Sequence, residues 1–400
     1  MNDRLAADER LSALEAAAGV VLGSDSAVAL PRSTCSPLEA LEWRILPALE
    51  RPPCLISFSG GRDSSAVLAV AARLARRKGL PAPVPATLRF RGARRSAEDE
   101  WQEQVVAHVD VADWVRIEAE HELDCLGPVA TEALRRHGLL WPPNAHFHVP
   151  LLQAASGGSL LTGVGGDEVF GSARLSRAAG VLAGTARPEP RDLLRIAHAL
   201  SPAPLRRAVL RGRTRIPFPW LRPDAARDVQ EALVRDAAGE PLRLERRLAW
   251  RLRLRYVRVG KASLAVLAAD DDVRVVHPLA DPGFCAALAR LGRTFRHGTR
   301  QERMKTVFGS LLPDAVALRP AKAGFGQAAY GPHSRAFTQS WDGDGIDPEL
   351  VDPDALRRAW PEAEHDGRLL TVLQAVWLAV EGTQSGGGDE VGQAVYRPAE

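Results

Sequence analysis

The sequence predicts an α/β fold in which a parallel sheet carries helices on both faces and is followed by a mainly helical C-terminal part. Short apolar runs alternate with helical segments over roughly the first 170 residues, a pattern typical of parallel strands. Two of these runs enter glycine-rich turns, and amphipathic helical patterns dominate beyond residue 171. With 400 residues, of which 46% are hydrophobic, the chain can bury a sizeable core.

The elements of the predicted sheet follow in order. Ser36-Pro37-Leu38-Glu39 is a capping box with proline at the first helical position, so a helix begins there and ends near Leu49. An apolar strand at residues 54–58 leads into a tight loop, and a helix at residues 64–78 is ended by Gly79. The later pattern predicts strands at residues 84–90, 114–117 and 159–162, and helices at residues 97–108 and directly before Gly138.

Composition and patterning divide the chain into four segments. These are a lead-in arm with an amphipathic stretch at residues 6–18 (1–35), an α/β core (36–180), a helical region (181–381) and a flexible tail (382–400). The helical region predicts helices at residues 191–200, 225–237, 242–257 and 300–312. Its proline-rich segment, residues 216–223, predicts an exposed loop.

Charge and composition argue against several classes of protein. The 52 basic and 49 acidic residues give a formal net charge of +3, which is too balanced for a typical nucleic-acid binder. The four cysteines are far apart and suggest neither a zinc site nor a disulfide framework; they are Cys35, Cys54, Cys125 and Cys285. The first ten residues lack the apolar core of a signal peptide, and no apolar run approaches the roughly 18 residues that a membrane span requires. We therefore expect a soluble protein of the reducing cytoplasm without a membrane partner.

The most informative segment lies between the apolar strand at residues 54–58 and the next helix. It reads Ser59-Gly60-Gly61-Arg62-Asp63-Ser64-Ser65. The glycines let backbone N–H groups approach phosphate oxygens, and the positive end of the helix points to the same place. Asp63 would be repelled by bare phosphate, so its presence implies an intervening Mg²⁺. The alternative is a turn that caps the helix without binding a ligand.

A second glycine-rich turn follows the strand at residues 159–162 and reads Leu161-Thr162-Gly163-Val164-Gly165-Gly166-Asp167-Glu168-Val169-Phe170-Gly171. The first loop resembles the pyrophosphate loop (PP-loop) of the N-type ATP pyrophosphatases, and the second resembles the asparagine synthetase family within them. This resemblance implies a core like the adenine nucleotide alpha hydrolases, with ATP and Mg²⁺ as cofactors. The implied ligands of Mg²⁺ are Asp63 and Asp167, both counted as catalytic. The implied nucleotide contacts are Ser59, Gly60, Gly61, Asp63, Ser64, Ser65, Gly163, Gly165 and Gly166. Alone, the second turn also fits a structural turn with a solvated acidic pair.

Weaker matches extend the resemblance to about Phe325. Leu88 lies in the segment that resembles the family strand bordering adenine, and residues 96–100 resemble the acidic helix start after it. Residues 318–325 resemble the late lysine segment of the family, which implies that Lys322 is catalytic and contacts the acyl-phosphate region. Lys305 is a further implied phosphate contact. The structural alternatives are a buried strand, a capped helix and solvated lysines.

The chain also departs from the family. Residues 274–281 replace the segment Glu-x-Arg-x-Pro-Phe-Leu-Asp, so its acid is missing unless Asp272 substitutes, and aspartate is doubtful as a substrate. Val164 stands where the β-lactam synthetase branch has tyrosine, so the tyrosine–glutamate base of that branch is absent. Asn2 stands where the glutaminase domain of most members has its cysteine. We therefore expect the nucleophile to be ammonia, a substrate amine, or ammonia supplied by a partner protein.

Two further features have functional and structural interpretations. His146-Phe147-His148 would place two imidazoles on one face of a strand, but no third metal ligand stands at a suitable spacing. The arginine-rich helices between residues 187 and 258 would hold an acidic peptide or carrier protein, or would simply present solvated faces.

These observations predict an ATP-dependent, AMP-forming carbon–nitrogen ligase. A carboxylate on a small molecule or peptide attacks the α-phosphate, pyrophosphate leaves, and an amine or ammonia captures the acyl-adenylate. Stand-alone members of the family resemble amide-forming enzymes of specialised metabolism, including lasso-peptide cyclases. The alternatives are a non-catalytic nucleotide-binding subunit that recognises a peptide or partner, and a PP-loop enzyme that modifies tRNA, for which zinc-binding cysteines and a basic RNA platform are not evident.

Overall fold

The computed structural model describes residues 5–26, 29–91, 99–171, 176–182, 184, 186–213, 216–291, 298–317 and 326–385. Five strands form one sheet in which every pairing is parallel, in the order β3-β2-β1-β4-β5. The strands are β1 (Cys54–Ser57), β2 (Val84–Phe90), β3 (Val115–Ala119), β4 (Ser159–Leu161) and β5 (Arg274–Val276). The α/β prediction with a parallel sheet is confirmed.

The strand order brings the two glycine-rich turns together. In register, Ile56 of β1 pairs with Leu161 of β4, so the turns that follow these two strands leave the same edge of the sheet side by side. The carboxyl edge of a parallel sheet is where ligands bind in such folds. β5 adds to β4 through Leu161 and Val276, although its three residues had no strand signal in the sequence.

The helices surround the sheet and then form most of the C-terminal half. In the first half they are α1 (Ala13–Ala18), α2 (Pro37–Leu49), α3 (Arg62–Lys78), α4 (Asp99–Val109), α5 (Pro128–His137), α6 (Val149–Ala154) and α7 (Gly166–Phe170). In the second half they are α8 (Ser176–Leu182), α9 (Asp192–Leu200), α10 (Ala203–Arg213), α11 (Pro223–Ala238), α12 (Leu244–Leu252), α13 (Arg255–Ala269), α14 (Pro282–Ala289), α15 (Arg300–Phe308), α16 (Asp314–Ala317), α17 (Gly326–Ala329), α18 (Pro332–Ser340), α19 (Pro353–Ala359) and α20 (Gly367–Ser385). Short 3-10 turns are Ala7–Glu9, Ala145–His148, Pro278–Ala280 and Trp360–Glu364.

The helices that flank β1 follow from local sequence. The Ser36 hydroxyl accepts a hydrogen bond from the Glu39 backbone N–H, and the Glu39 carboxylate accepts one from the Ser36 N–H at 2.7 Å, which confirms the capping box. α3 ends at Gly79, whose φ of 65° is left-handed, as the sequence predicts. α3 buries eleven residues, mostly alanine and valine, and packs against α2. This packing fixes the start of α3 behind the first loop.

Two predictions about local structure were wrong. Residues 242–257 form two helices, α12 and the start of α13, because the chain turns at Arg253 and the buried Leu254. The proline-rich segment is not simply exposed, since Phe218 and Trp220 are buried in the core that α20 closes. The amphipathic stretch at residues 6–18 contains a 3-10 turn and α1, and Trp220 Nε1 donates to the Ala17 carbonyl at 2.8 Å, which docks the arm on the helical region.

A membrane-spanning helix needs about 20 mostly apolar residues. Within the described ranges, none of the helices has both the length and the apolar character for such a span.

Candidate active site

The first glycine-rich loop is a tight turn at the carboxyl end of β1. Gly60 has a φ of 81°, a left-handed conformation that favours glycine. The Ser59 hydroxyl accepts from the Gly61 N–H at 3.3 Å, and the Ser64 hydroxyl donates to the Gly61 carbonyl at 3.1 Å. Gln102 on α4 holds the Ser59 carbonyl at 3.1 Å. The loop is therefore preformed, with the first turn of α3 and buried Ser65 directly beneath it.

The second glycine-rich loop is pressed against the first. A Cβ on Gly163 would stand 3.0 Å from the Ser64 backbone nitrogen, and a Cβ on Gly166 would overlap the Asp63 carboxyl group. On its other side Gly165, with a φ of 99°, would bring a Cβ to 2.5 Å from the Ala280 backbone nitrogen. Glycine is thus required here by close approach and by backbone conformation. This contact places Asp63 and Asp167 at one position above the sheet edge.

Arg300 on α15 joins the two acidic side chains. Its Nη2 lies 2.6 Å from Asp63 Oδ2, and its Nη1 is hydrogen-bonded to Asp167 Oδ1. Burial lowers the pKa of the Arg300 guanidinium, but the Asp63 and Asp167 carboxylates outweigh that effect, so its pKa is raised overall. The two carboxylates therefore converge on one cation, which is the arrangement that a shared divalent metal requires. Two oxygen ligands at this spot fit Mg²⁺, which is typically bound through one or two carboxylates together with substrate phosphates.

Other residues predicted for the site are placed differently. Leu88 lies half-buried in β2, beside β1. Lys305 pairs with Asp314 at 2.9 Å rather than with a residue of either loop. Lys322 and the segment around it, like residues 96–98, lie outside the described residues. Asp272 is at the amino end of β5, where it pairs with Arg51, so it stands at the opposite edge of the sheet and does not substitute for the missing acid.

The helical half contributes contacts that sequence patterns did not reveal. The Tyr256 hydroxyl on α13 donates to Glu168 Oε1 at 2.9 Å, and burial followed by the Glu168 charge raises the pKa of this phenol well above its usual range. A tyrosine–glutamate contact is thus present, although not at Val164, where the β-lactam synthetase branch has its tyrosine. Arg251 on α12 donates to the Glu168 and Gly171 carbonyls and fixes the end of α7. No local motif signals these three long-range contacts.

The segment after β5 closes the site beside the second loop. Thr162 Oγ1 lies 2.7 Å from His277 Nδ1, so the residues that follow β4 and β5 are hydrogen-bonded to each other. Burial, then the nearby Lys261, His148 and Arg44, lowers the pKa of His277 to about 3, which keeps the ring neutral. Asp281 caps α14 through the Gly283 and Phe284 N–H groups. Hydrogen bonds of His277 and Asp281 therefore hold residues 277–281, in the segment that differs from the family, in place beside the second loop.

The two histidines of the hypothetical metal pair do not lie on a strand. Residues 145–148 form a 3-10 turn, and His146 Nε2 bonds to the Leu123 carbonyl at 2.9 Å. Burial is the largest cause that lowers the His146 pKa, to about 4. Within the described part of the chain, no group of three or more metal-ligating side chains is assembled. The pair is accounted for by core packing and backbone hydrogen bonds.

A cleft of about 650 Å³ lies to one side of the loops. Its walls come from the arm at Gly19, the turn at residues 141–144, the start of α17 at Gly326 and residues 364–370. The nucleotide loops do not line it. Gly326, which follows residues 318–325 in the sequence, lines the cleft. Trp141, also in its wall, contacts α13, because the Trp141 backbone N–H donates to Ser263 Oγ at 3.0 Å. The cleft therefore lies beside α13, with the start of α17 in its opposite wall.

The arginine-rich helices show an exposed apolar surface beside their charges. Leu193, Leu194 and Leu200 on α9 and Leu205 on α10 are each more than half exposed. Binding of an acidic partner at these helices stays a prediction.

Comparisons with known proteins add two findings. The chain matches the family of asparagine synthase (Asn_synthase) over residues 48–381, which includes both glycine-rich loops and most of the helical half. No curated protein matches the chain.

Proposed function

Because the chain belongs to the asparagine synthase family, whose members are ATP-dependent amide-forming synthetases, we propose that it activates a carboxylate as acyl-AMP and transfers the acyl group to an amine. The observation that carries the proposal is that Asp63 and Asp167 both contact one cation, the Arg300 guanidinium. The close approach of Gly166 to the Asp63 carboxyl group brings the two loops together at that point. ATP and Mg²⁺ are the cofactors that this family and this acidic pair imply.

The first loop is suited to hold the leaving pyrophosphate. The amino end of the 17-residue helix α3, directly after this loop, offers partial positive charge to phosphate oxygens. The Ser59 and Ser64 hydroxyls stand at the same turn, 3.4 Å apart. We propose that Ser59, Gly60, Gly61, Ser64 and Ser65 surround the β- and γ-phosphates, and that Gly163, Gly165 and Gly166 let the nucleotide approach the second loop.

Asp63 and Asp167 would hold Mg²⁺, and Arg300 occupies the same position between them as a cation of the chain itself. When bound, the metal supplies charge neutralisation at the phosphates. Arg300 then loses its two partners, and we propose that its guanidinium turns to a phosphate oxygen, a pairing for which its planar fork is suited. Arg300 thus offsets one of the two carboxylate charges before ATP arrives.

The second half of the reaction is acyl transfer. We propose that Lys322 stabilises the oxyanion that forms when the amine attacks the acyl-adenylate, with AMP as leaving group. Lys322 is four residues before Gly326 in the sequence, and Gly326 lines the 650 Å³ cleft. A cleft of that size accommodates a small organic molecule or a short peptide segment. We propose a substrate of specialised peptide metabolism.

Product identity tests the proposal. Purified protein is incubated with ATP, Mg²⁺ and a panel of carboxylates and amines, and AMP, ADP and pyrophosphate are resolved by chromatography, with Asp63→Ala as control. We expect AMP and pyrophosphate in equal amounts with an accepted donor and neither with the variant. ADP as the product would contradict the proposal. ATP binding without any turnover over the panel would favour the non-catalytic subunit.

A further inference from the structure

Lys261 stands in an unusual setting on α13. It is half-buried, and among the described residues it neither donates a hydrogen bond nor forms an ion pair. Burial, then the Arg44 charge, lowers its pKa, and the Asp281 charge opposes them only in part. A buried cation without a partner is unfavourable unless an anion joins it.

The groups around Lys261 leave positive charge in excess. Arg44 on α2 faces it from one side, and Asp281 is already engaged by two backbone N–H groups and by Arg44 at 3.8 Å. His277 also lies near Lys261, and His148 lies near His277; burial lowers the pKa of both histidines, so they stay neutral. Two cations therefore face one committed carboxylate.

This basic corner, defined by Lys261, Arg44, His277, His148 and Asp281, adjoins the nucleotide loops. Gly165 touches Ala280, next to Asp281, while the following residue Gly166 touches the Asp63 carboxyl group. Successive Cα atoms are about 3.8 Å apart. Gly165 and Gly166 thus separate the basic corner from the acidic pair Asp63 and Asp167.

We propose that the basic corner binds the carboxylate of the acyl donor and that Lys261 is its principal contact. The inference rests on the proposed function, because it assigns the substrate of that site. A carboxylate held there is neutralised by Lys261 and Arg44 as it nears the α-phosphate, an approach that charge repulsion otherwise opposes. The Trp141 wall of the cleft, which packs against α13 beside Gly260, leads the rest of the donor to the corner.

Chemical labelling tests the corner without turnover. The chain has four lysines, Lys78, Lys261, Lys305 and Lys322, so acetylation by acetic anhydride can be followed at each by peptide mass spectrometry. Benzoate at saturating concentration is compared with the uncharged benzamide. A bound carboxylate raises the pKa of Lys261. For each unit by which this pKa rises, the neutral fraction of the amine, which is the form that reacts with the anhydride, falls about tenfold. We expect benzoate to slow acetylation of Lys261 and to leave exposed Lys78 unchanged. Equal rates at Lys261 in benzoate and benzamide would overturn the proposal.

Kinetics separate the corner from the proposed function. For Lys261→Met we expect the KM for the acyl donor to rise about 10- to 100-fold, the loss for one charge-assisted contact, with the KM for ATP unchanged. Lys261→Arg should restore most of the affinity, and Lys78→Met is the matched control. An unchanged KM for the donor in a folded Lys261→Met protein would overturn the corner and leave adenylation intact. Absence of AMP formation by the wild type would overturn the proposed function, while the labelling result would still stand.

Discussion

The two halves of the molecule contribute to the candidate site in different ways. The α/β core offers two contiguous loops, each directly after a strand, whose glycines and acids are adjacent in the sequence. The helical half offers single side chains from two helices, Arg300 on α15 and Tyr256 and Lys261 on α13, near the same sheet edge. In the proposed function, the core supplies the phosphate chemistry, whereas the helical half supplies charge balance and the contact with the substrate.

The largest effect is expected in the core, at Asp63. Asp63→Asn keeps the shape of the side chain but removes one of the two charges that would hold Mg²⁺. We expect the rate of AMP formation to fall about 10²- to 10³-fold, as when one electrostatic contact of a transition state is lost. Exposed Asp113→Asn is the matched control, and steady-state assays measure both. Near-normal activity of Asp63→Asn would show that the core does not determine the chemistry.

The contact between the loops is tested at Gly166. In Gly166→Ala the new methyl group overlaps the Asp63 carboxyl group and displaces it. Because a misplacement of about 1 Å can lower a rate about 10²-fold, we expect a loss of that order in AMP formation. Gly212→Ala on α10 is the control, since no atom lies near its Cβ position. Equal activity of the two variants would contradict the geometry.

The acid stability of the site edge depends on His277. Its folded-state pKa of about 3 is below the ordinary value of 6.5, so the unfolded chain binds the proton more readily and stability is lost as pH falls between these values. Each pH unit in that window lowers the free energy of unfolding by about 1.4 kcal/mol. Urea unfolding from pH 7 to pH 5 should therefore show a shallower pH dependence for His277→Asn. Parallel curves would contradict burial of a neutral ring.

The contribution of the helical half to the charge balance of Asp63 and Asp167 is tested at Arg300. Arg300→Gln leaves the two carboxylates facing each other, and we expect about 1–2 kcal/mol lower stability in EDTA. Because the freed pair can bind metal, Mg²⁺ should raise the Tm of this variant more than that of the wild type. Calorimetry measures both shifts. The same Mg²⁺ shift in both proteins would exclude competition between Arg300 and the metal.

The smallest effect is expected at Tyr256. Tyr256→Phe removes one hydrogen bond to Glu168 and should lower the free energy of unfolding by about 1 kcal/mol, with adenylation reduced far less than in Asp63→Asn. Chemical denaturation and the AMP assay check the two parts. A loss of activity as large as that of Asp63→Asn would assign Tyr256 to the chemistry.

Much of the core could be predicted from the sequence because its signals are local. The Ser36 capping box, the apolar runs of β1 and β2 and the two glycine-rich turns each depend on neighbouring residues. β5 could not be predicted, since three residues give no periodicity and its pairing with β4 is a tertiary effect. The break between α12 and α13 depends on packing of Leu254 in the folded chain.

The same distinction separates the site residues. Asp63 and Asp167 are recognisable because each follows glycines at a strand end. Arg300 and Lys261 have no such context, since one begins a helix 133 residues after Asp167 and the other stands in the middle of α13 among apolar residues. Their roles follow from distances between helices and the sheet edge. Sequence patterns do not contain those distances.

Oxygen transfer tests carboxylate activation most directly. An acyl donor accepted in the AMP assay is labelled with ¹⁸O in its carboxylate and turned over with ATP, Mg²⁺ and the amine. If the carboxylate attacks the α-phosphate and the amine then displaces AMP, one labelled oxygen stays on phosphorus, and mass spectrometry finds AMP carrying one ¹⁸O. Unlabelled AMP, or label recovered in inorganic phosphate together with ADP, would contradict adenylation by this chain.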